Sequence, residues 1–259
     1  MSDLLFYIFT FIAGLCVGSF LNVCIYRIPV KKSIIHPGSA CPSCQNPIRF
    51  YDNIPIFSYL IVQGRCRYCG NAIAIRYPIV ELLGGLFAIC LALKFGQTLT
   101  TLVYYIFVAA LLVITFIDID HQIIPNEISL PGIPAGFVCS FFIPVITPVE
   151  SLLGIIVGGG TLWAVASLYL LFTQREGMGF GDVKLLGMIG AFIGWKGVLL
   201  TIFAASAIGS TVGFITMLKN SKNMKMAIPF GPFLSIGAII YLFFGVSLIN
   251  WYIYGSYPL

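Results

Sequence analysis

Two aspartates set far apart in the chain, Asp118 and Asp182, stand at the ends of long apolar runs. An ionisable group at membrane depth is costly to keep and marks a functional site by default. Two carboxyls a few ångströms apart cannot both ionise, so one retains a proton. The ionised member can then activate water as a general base while the protonated one polarises a carbonyl. That is the chemistry of aspartic peptide hydrolysis. Local structure offers another reading for the same residues. Asp118 and Asp120 could be interfacial caps, and Asp182 could be the N-cap of a helix starting at Val183. The glycines of Gly177-Met178-Gly179-Phe180-Gly181 would let backbone or substrate approach Asp182 closely. Asp120 and Glu127 read as solvated acids or as attractors of a basic segment, and His121 as interfacial. Lys184 would tune Asp182 or snorkel.

Four of the eight cysteines form two tight pairs, Cys41-Pro-Ser-Cys44 and Cys66-Arg-Tyr-Cys69, with 21 residues between them. Two such knuckles can place four thiolates around one Zn²⁺. Two disulfides or a redox pair are the alternatives, and a reducing cytoplasmic setting disfavours disulfides. Four thiolates close the coordination shell, which makes the metal structural and His36 a solvated loop residue. Cys16, Cys24, Cys90 and Cys139 lie singly in or beside apolar runs and read as small buried hydrophobes.

The elements that must hold these groups follow from composition. Of 259 residues, 59% are hydrophobic and 9% charged, against about a quarter charged in soluble domains. This excludes a soluble enzyme, a disordered chain and a fibrous repeat, and demands an all-α polytopic membrane protein. A span needs about 20 mostly apolar residues. The predicted spans are 4–26, 78–95, 99–117, 127–147, 151–172, 183–195, 197–218 and 230–254. Gly194-Trp195-Lys196-Gly197 reads as a turn and favours eight helices, with a fused 183–218 giving seven as the alternative. The first run lacks a basic leader and a small-x-small site, so it reads as a membrane helix and not a cleaved signal.

Segment 27–77 carries Arg27, Lys31, Lys32, Arg49, Arg65, Arg67 and Arg76, half of the 14 basic residues, and is expected to be cytoplasmic. Counting outward, the N-terminus lies outside. Loops 118–126, 173–182 and 219–229, the last with Lys219, Lys222 and Lys225, fall inside. Three parts follow: a first helix (1–26), a cytoplasmic four-cysteine loop domain stabilised by zinc (27–77) and a membrane region (78–259). Gly158-Gly159-Gly160 is expected at a helix contact, and no internal repeat is evident.

Several motifs coincide in order. Gly18-Ser19-Phe20-Leu21-Asn22-Val23 and Arg27-Ile28-Pro29 precede the double knuckle. Arg76-Tyr77-Pro78-Ile79-Val80-Glu81-Leu82-Leu83 follows it. Then come Asp118-x-Asp120-x-x-x-Ile124-Pro125 and Gly179-Phe180-Gly181-Asp182-Val183-Lys184. Each is weak alone. Together, from about Gly14 to Pro232, the chain resembles type IV prepilin peptidases, membrane aspartic peptidases of the Gly-x-Gly-Asp kind.

The resemblance implies a bifunctional enzyme of the bacterial inner membrane with its active site facing the cytoplasm. Such enzymes remove the short basic leader of prepilins or pseudopilins, after a Gly and usually before a Phe. They then methylate the new α-amino group from S-adenosylmethionine. It implies Asp118 and Asp182 as the catalytic pair, with Asp120 as the fallback for the first. It implies structural Zn²⁺ on Cys41, Cys44, Cys66 and Cys69. Gly64 and Glu81 match positions associated with the methyl donor, and a loop turn and a helix-end charge are their plainer readings. The expected partners are substrates with a basic leader and a hydrophobic N-terminal helix, together with membrane lipid and no nucleic acid. Loop 118–127 holds three acids and no Lys or Arg, which would attract such a leader. The competing reading is a transporter or assembly scaffold with a zinc-stabilised docking loop. It calls for acids near mid-bilayer, whereas these lie at span ends.

Overall fold

The computed structural model describes residues 2–174, 179–219 and 229–255. Within them the regular secondary structure is helical, with two isolated antiparallel bridges. The helices are α1 (Ser2–Arg27), α2 (Phe57–Ile61), α3 (Arg76–Phe95), α4 (Leu99–His121), α5 (Asn126–Cys139), α6 (Pro148–Thr173), α7 (Phe180–Lys219) and α8 (Gly231–Tyr254). Among the described residues, six helices (α1, α3, α4, α6, α7 and α8) are long and apolar enough to cross a membrane. The chain forms two compact units, Met1–Val113 and Ile114–Leu259.

The remaining two expected spans take different forms. α5 has 14 residues, about 21 Å of helix at 1.5 Å per residue, short of a hydrocarbon core of about 30 Å. The stretch to residue 147 continues as turns. α7 runs for 40 residues, but Gly194 breaks it with φ 71° and ψ 176°. Only glycine takes that conformation without strain. The turn expected at Gly194-Trp195 is therefore present, and α7 is two segments. The expectations for Gly177, Met178, Lys222 and Lys225 lie outside the described residues.

In the first unit α1 packs on α3 through glycines. A Cβ on Gly14 would stand 2.7 Å from the Gly84 carbonyl oxygen, and one on Gly18 would stand 2.6 Å from the Glu81 Cα. Without side chains, two apolar helices gain dispersion contact that lipid cannot match. Asn22 Nδ2 donates to the Tyr77 carbonyl over 3.0 Å, tying the end of α1 to the start of α3. Arg27 follows, its guanidinium donating to the carbonyls of Ser33, Pro37 and Gly38 and so closing the loop that leads into the cysteine pairs. Cys24 is buried as expected, whereas Cys16 and Cys90 lie on exposed helix faces.

In the second unit the register is readable from close approaches. Gly154 meets Gly190 and Gly158 meets the Leu186 carbonyl, so α6 and the first half of α7 run antiparallel. It is Gly154-x-x-x-Gly158 that makes the helix contact; a Cβ on Gly160 would meet nothing. Past the break, Gly197 meets Tyr241, Thr201 meets Gly237 and Gly209 faces Phe233, which makes α8 antiparallel to the second half of α7. α6 starts with a capping box, Thr147 and Glu150 each satisfying the other's main-chain N–H. This alternation brings the end of α4 and the starts of α5, α7 and α8 together.

Candidate active site

Asp118 lies in the last turn of α4 and is only 5% exposed. The negative end of the helix dipole gives no capping reason for an acid there. Instead the main-chain N–H of Gly231, the first residue of α8, donates to Asp118 Oδ2 over 3.0 Å. A free amide at a helix start is a natural partner for a carboxylate. Asp182 lies in the first turn of α7, 9% exposed. Because α7 begins at Phe180, Asp182 sits inside the helix and not at the N-cap. The starts of α7 and α8 thus each bring a positive dipole end to one carboxyl. Asp120, two residues after Asp118, is exposed.

Ile124 binds the arrangement together. A Cβ on Gly181 would come 2.9 Å from the Ile124 Cβ, and one on Gly231 would lie 3.4 Å from its Cδ1 and 2.6 Å from Asp118 Oδ2. One side chain therefore fills the space between the residue before Asp182 and the residue that holds Asp118. Lys184 Nζ donates to Asn126 Oδ1 over 2.9 Å and lies 5.1 Å above the Phe180 ring, anchoring the start of α7 to the start of α5. Ile124 belongs to the Ile124-Pro125 pair already noted in the sequence, whereas Gly231 and Asn126 were not singled out from it. The one local signal was Gly231-Pro232, since proline favours the first turn of a helix. His121 is exposed at the end of α4.

In the first unit the four paired cysteines converge, their sulfurs all within 4.8 Å of one another. Cys41 and Cys69 Sγ are 3.9 Å apart, and Cys44 and Cys66 Sγ 4.0 Å. Tetrahedral Zn²⁺ with bonds of about 2.3 Å separates its sulfurs by about 3.8 Å, whereas a disulfide needs about 2.05 Å. The donor set therefore fits a zinc ion. The Cys44 main-chain N–H favours the Cys41 thiolate and brings its pKa down to about 6, while burial and the three neighbouring sulfurs push Cys69 up to about 11, so without a cation the cluster favours one thiolate and resists the next. His36 is exposed, as expected.

The knuckles also show a repeat that the sequence reading missed. Each is closed by one bridge, Ala40 with Pro47 and Arg65 with Ala72. The Cys41 N–H donates to Asn46 and the Gln45 N–H to Cys41, and likewise Cys66 to Asn71 and Gly70 to Cys66. Gln45 and Gly70 occupy the same left-handed position, with φ 58° and 72°. The sequence signal is x-Cys-x-x-Cys-x-Asn, too short to stand out. Around it, Arg67 pairs with Asp52 through a bond of 2.6 Å, and Arg49 lies over the rings of Tyr51 and Tyr68.

Gly64 and Glu81 have local contacts in this unit. Gly64 adopts φ +66°, and a Cβ there would lie 2.9 Å from the Tyr59 hydroxyl. Glu81 Oε2 accepts the Ile56 N–H over 2.7 Å. Ile56 itself has φ 61° and ψ −52° inside a tight turn. That conformation costs a branched residue about 1–3 kcal/mol and needs its surroundings to hold it.

Residues 12–95 match the bacterial peptidase A24 N-terminal domain, and residues 105–214 match the type IV leader peptidase family. A Pseudomonas putida protein named prepilin leader peptidase/N-methyltransferase is 35% identical, over 90% of this chain and 89% of its own length. Proteins of the same name from Aeromonas salmonicida and Pseudomonas aeruginosa are 32% and 36% identical, each over 96% of this chain and 94% of the relative. No solved structure matches the chain.

Proposed function

The chain belongs to the type IV leader peptidase family, and from that premise we propose that Asp118 and Asp182 cut the leader of a prepilin as a catalytic pair. The protein is a prepilin leader peptidase and N-methyltransferase, a multi-pass protein of the bacterial inner membrane. The observation that carries the assignment is a shared neighbourhood: two buried carboxyls from α4 and α7, joined through Ile124, which packs against both Gly181, the residue before Asp182, and Gly231, whose amide holds Asp118. One ionised carboxylate takes a proton from water while the other, protonated, donates to the scissile carbonyl oxygen. The water oxygen bonds to the carbonyl carbon. Collapse then breaks the C–N bond, with a proton returned to the leaving amine. The Gly231 amide orients Asp118 by holding one of its oxygens.

The active site faces the cytoplasm in this reading, which the basic residues of segment 27–77 favour. The substrates are prepilins or pseudopilins with a basic leader and a hydrophobic first helix. The second unit is the peptidase, and the first carries methyl transfer with its four-cysteine loop. Cys41, Cys44, Cys66 and Cys69 would hold a structural Zn²⁺. S-adenosylmethionine supplies the methyl group when bound. Gly64 and Glu81 are kept as its proposed contacts, a carboxylate being a natural neighbour for a sulfonium.

The test is mass spectrometry of a prepilin incubated with the detergent-solubilised enzyme. Loss of the leader, followed by a gain of about 14 Da, is expected. Asp118→Asn and Asp182→Asn should each lower cleavage by at least about 10²–10⁴-fold, while Asp120→Asn retains it. Normal cleavage by either of the first two, in a folded protein, would refute the pair.

A further inference from the structure

The five-residue helix α2 carries its side chains the wrong way round for a segment in water. Phe57, Leu60 and Ile61 share one helix face and are 63%, 64% and 70% exposed. Ser58 is the residue turned inward. It is 6% exposed, and its hydroxyl donates to the Tyr51 carbonyl over 2.8 Å and accepts the Ile54 N–H over 3.0 Å. A contiguous exposed apolar face of this kind marks contact with a protein or a membrane.

The level of α2 along the spans decides between the two. The N–H of Ile56, the residue before α2, donates to Glu81 Oε2 over 2.7 Å. Glu81 lies five residues into α3, about 7.5 Å past its first residue by helical rise. α1 passes the same level, since a Cβ on Gly18 would stand 2.6 Å from the Glu81 Cα, and it then runs on for nine residues to Arg27. A glutamate side chain leans back toward its helix start, yet the contact still sets α2 beside the ends of two membrane-crossing helices and not beyond them. Amphipathic elements rest their apolar face about 5–10 Å into the boundary between headgroups and acyl chains, which is that level. Charge agrees. Segment 27–77 holds seven basic residues and one acid, Asp52, which Arg67 pairs. Lys31, Lys32 and Arg65 are exposed, the first two just past the end of α1 and the third four residues past α2. Basic residues beside a span are drawn to anionic lipid.

We propose that α2 is an interfacial anchor: Phe57, Leu60 and Ile61 enter the acyl edge of the leaflet on the side of the cysteine loop, and Lys31, Lys32 and Arg65 meet its anionic headgroups. The four-cysteine module is thereby held against the membrane surface and does not hang free in water. The inference needs only the membrane spans and not the carboxyl-pair reading.

The experiment uses the full-length protein in vesicles of phosphatidylcholine, with or without phosphatidylglycerol. Trp163, Trp195 and Trp251, the three native tryptophans, are replaced by Phe, and one tryptophan is returned by Leu60→Trp or Ser43→Trp. The Leu60→Trp emission should be blue-shifted, quenched by lipids brominated on the acyl chain and protected from acrylamide in the water phase. Ser43→Trp, at an exposed position inside the first knuckle, should behave in the opposite way. Melting temperatures identify folded variants. The unmodified chain supplies a second readout. A lipid with a photoactivatable acyl chain should label residues 57–61, more strongly with phosphatidylglycerol present, and the combined Lys31→Gln, Lys32→Gln and Arg65→Gln variant should lose that increase. Acrylamide quenching at position 60, with neither bromolipid quenching nor photolabelling of 57–61, would overturn the anchor and leave a water-facing patch. Shielding from both quenchers with no labelling would overturn it in favour of a second copy or another protein on this face. An increase that survives the triple substitution would overturn the headgroup contact.

Discussion

The main-chain N–H of Gly231 meets Asp118 Oδ2 at 3.0 Å, across 113 residues of sequence. A backbone amide cannot rotate away as a side chain can, so α8 fixes the orientation of an acid carried by α4. The contact also leaves no room for a larger residue, since a Cβ at position 231 would lie 2.6 Å from the same oxygen.

Gly231→Ala is therefore expected to displace the Asp118 carboxyl and lower leader cleavage about 100-fold, the scale of a misplacement near 1 Å. Methylation of a substrate supplied already cut should persist. Single-turnover cleavage and methyl incorporation, measured on the same preparation, separate the two. Equal loss of both would argue for a folding defect instead.

The sulfur cluster predicts a metal content. The purified protein should carry about one zinc per chain, and Cys44→Ser should lose it. Because segment 27–77 is too small for a robust apolar core, losing the ion should expose the loop to protease. Elemental analysis and limited proteolysis check this. Full zinc in the Cys44→Ser, Cys66→Ser double variant would reject the site.

The paired knuckles differ at one position. Gly70 holds a left-handed conformation where Gln45 holds its counterpart. A residue with a Cβ costs roughly 1–2 kcal/mol there. Gly70→Ala should thus weaken zinc retention by about tenfold or more in a chelator competition, while Gln45→Gly should not weaken it. Equal behaviour of the two variants would contradict the shared geometry.

Glu81 offers a charge-against-shape test. Glu81→Gln keeps an acceptor for the Ile56 N–H but removes the negative charge, whereas Glu81→Ala removes both. If the acid contacts the methyl donor, Gln should reduce equilibrium binding of S-adenosylmethionine and Ala should reduce it further. If its work is confined to the turn at Ile56, Gln should bind normally and only Ala should loosen residues 50–62 in hydrogen exchange.

Much of the site was readable from local patterns, because the signals are short-ranged. Membrane helices must satisfy their own backbone and be apolar for about 20 residues, so α1, α3, α4, α6 and α8 declare themselves. Gly194 with its turn chemistry marked the break in α7. The Cys-x-x-Cys spacing named its four sulfurs because one turn of chain presents both thiols of a pair. The same logic fails for α5, where an apolar run to residue 147 reads as a span but the helix stops at Cys139.

Residue type and spacing by themselves determined the class of protein, the four cysteines that converge as a possible metal site and the acids worth considering. They left Asp118 and Asp120 nearly equivalent, since both stand at the end of one apolar run. Tertiary structure separated them: Asp118 faces the start of α8 and is buried, while Asp120 is turned outward. It also decided that Asp182 lies inside α7 and not at its cap, and that Gly231 and Ile124 belong to the same neighbourhood. Those contacts join helices far apart in the chain, and such proximity arises only when close glycine contacts set the register of one helix on the next.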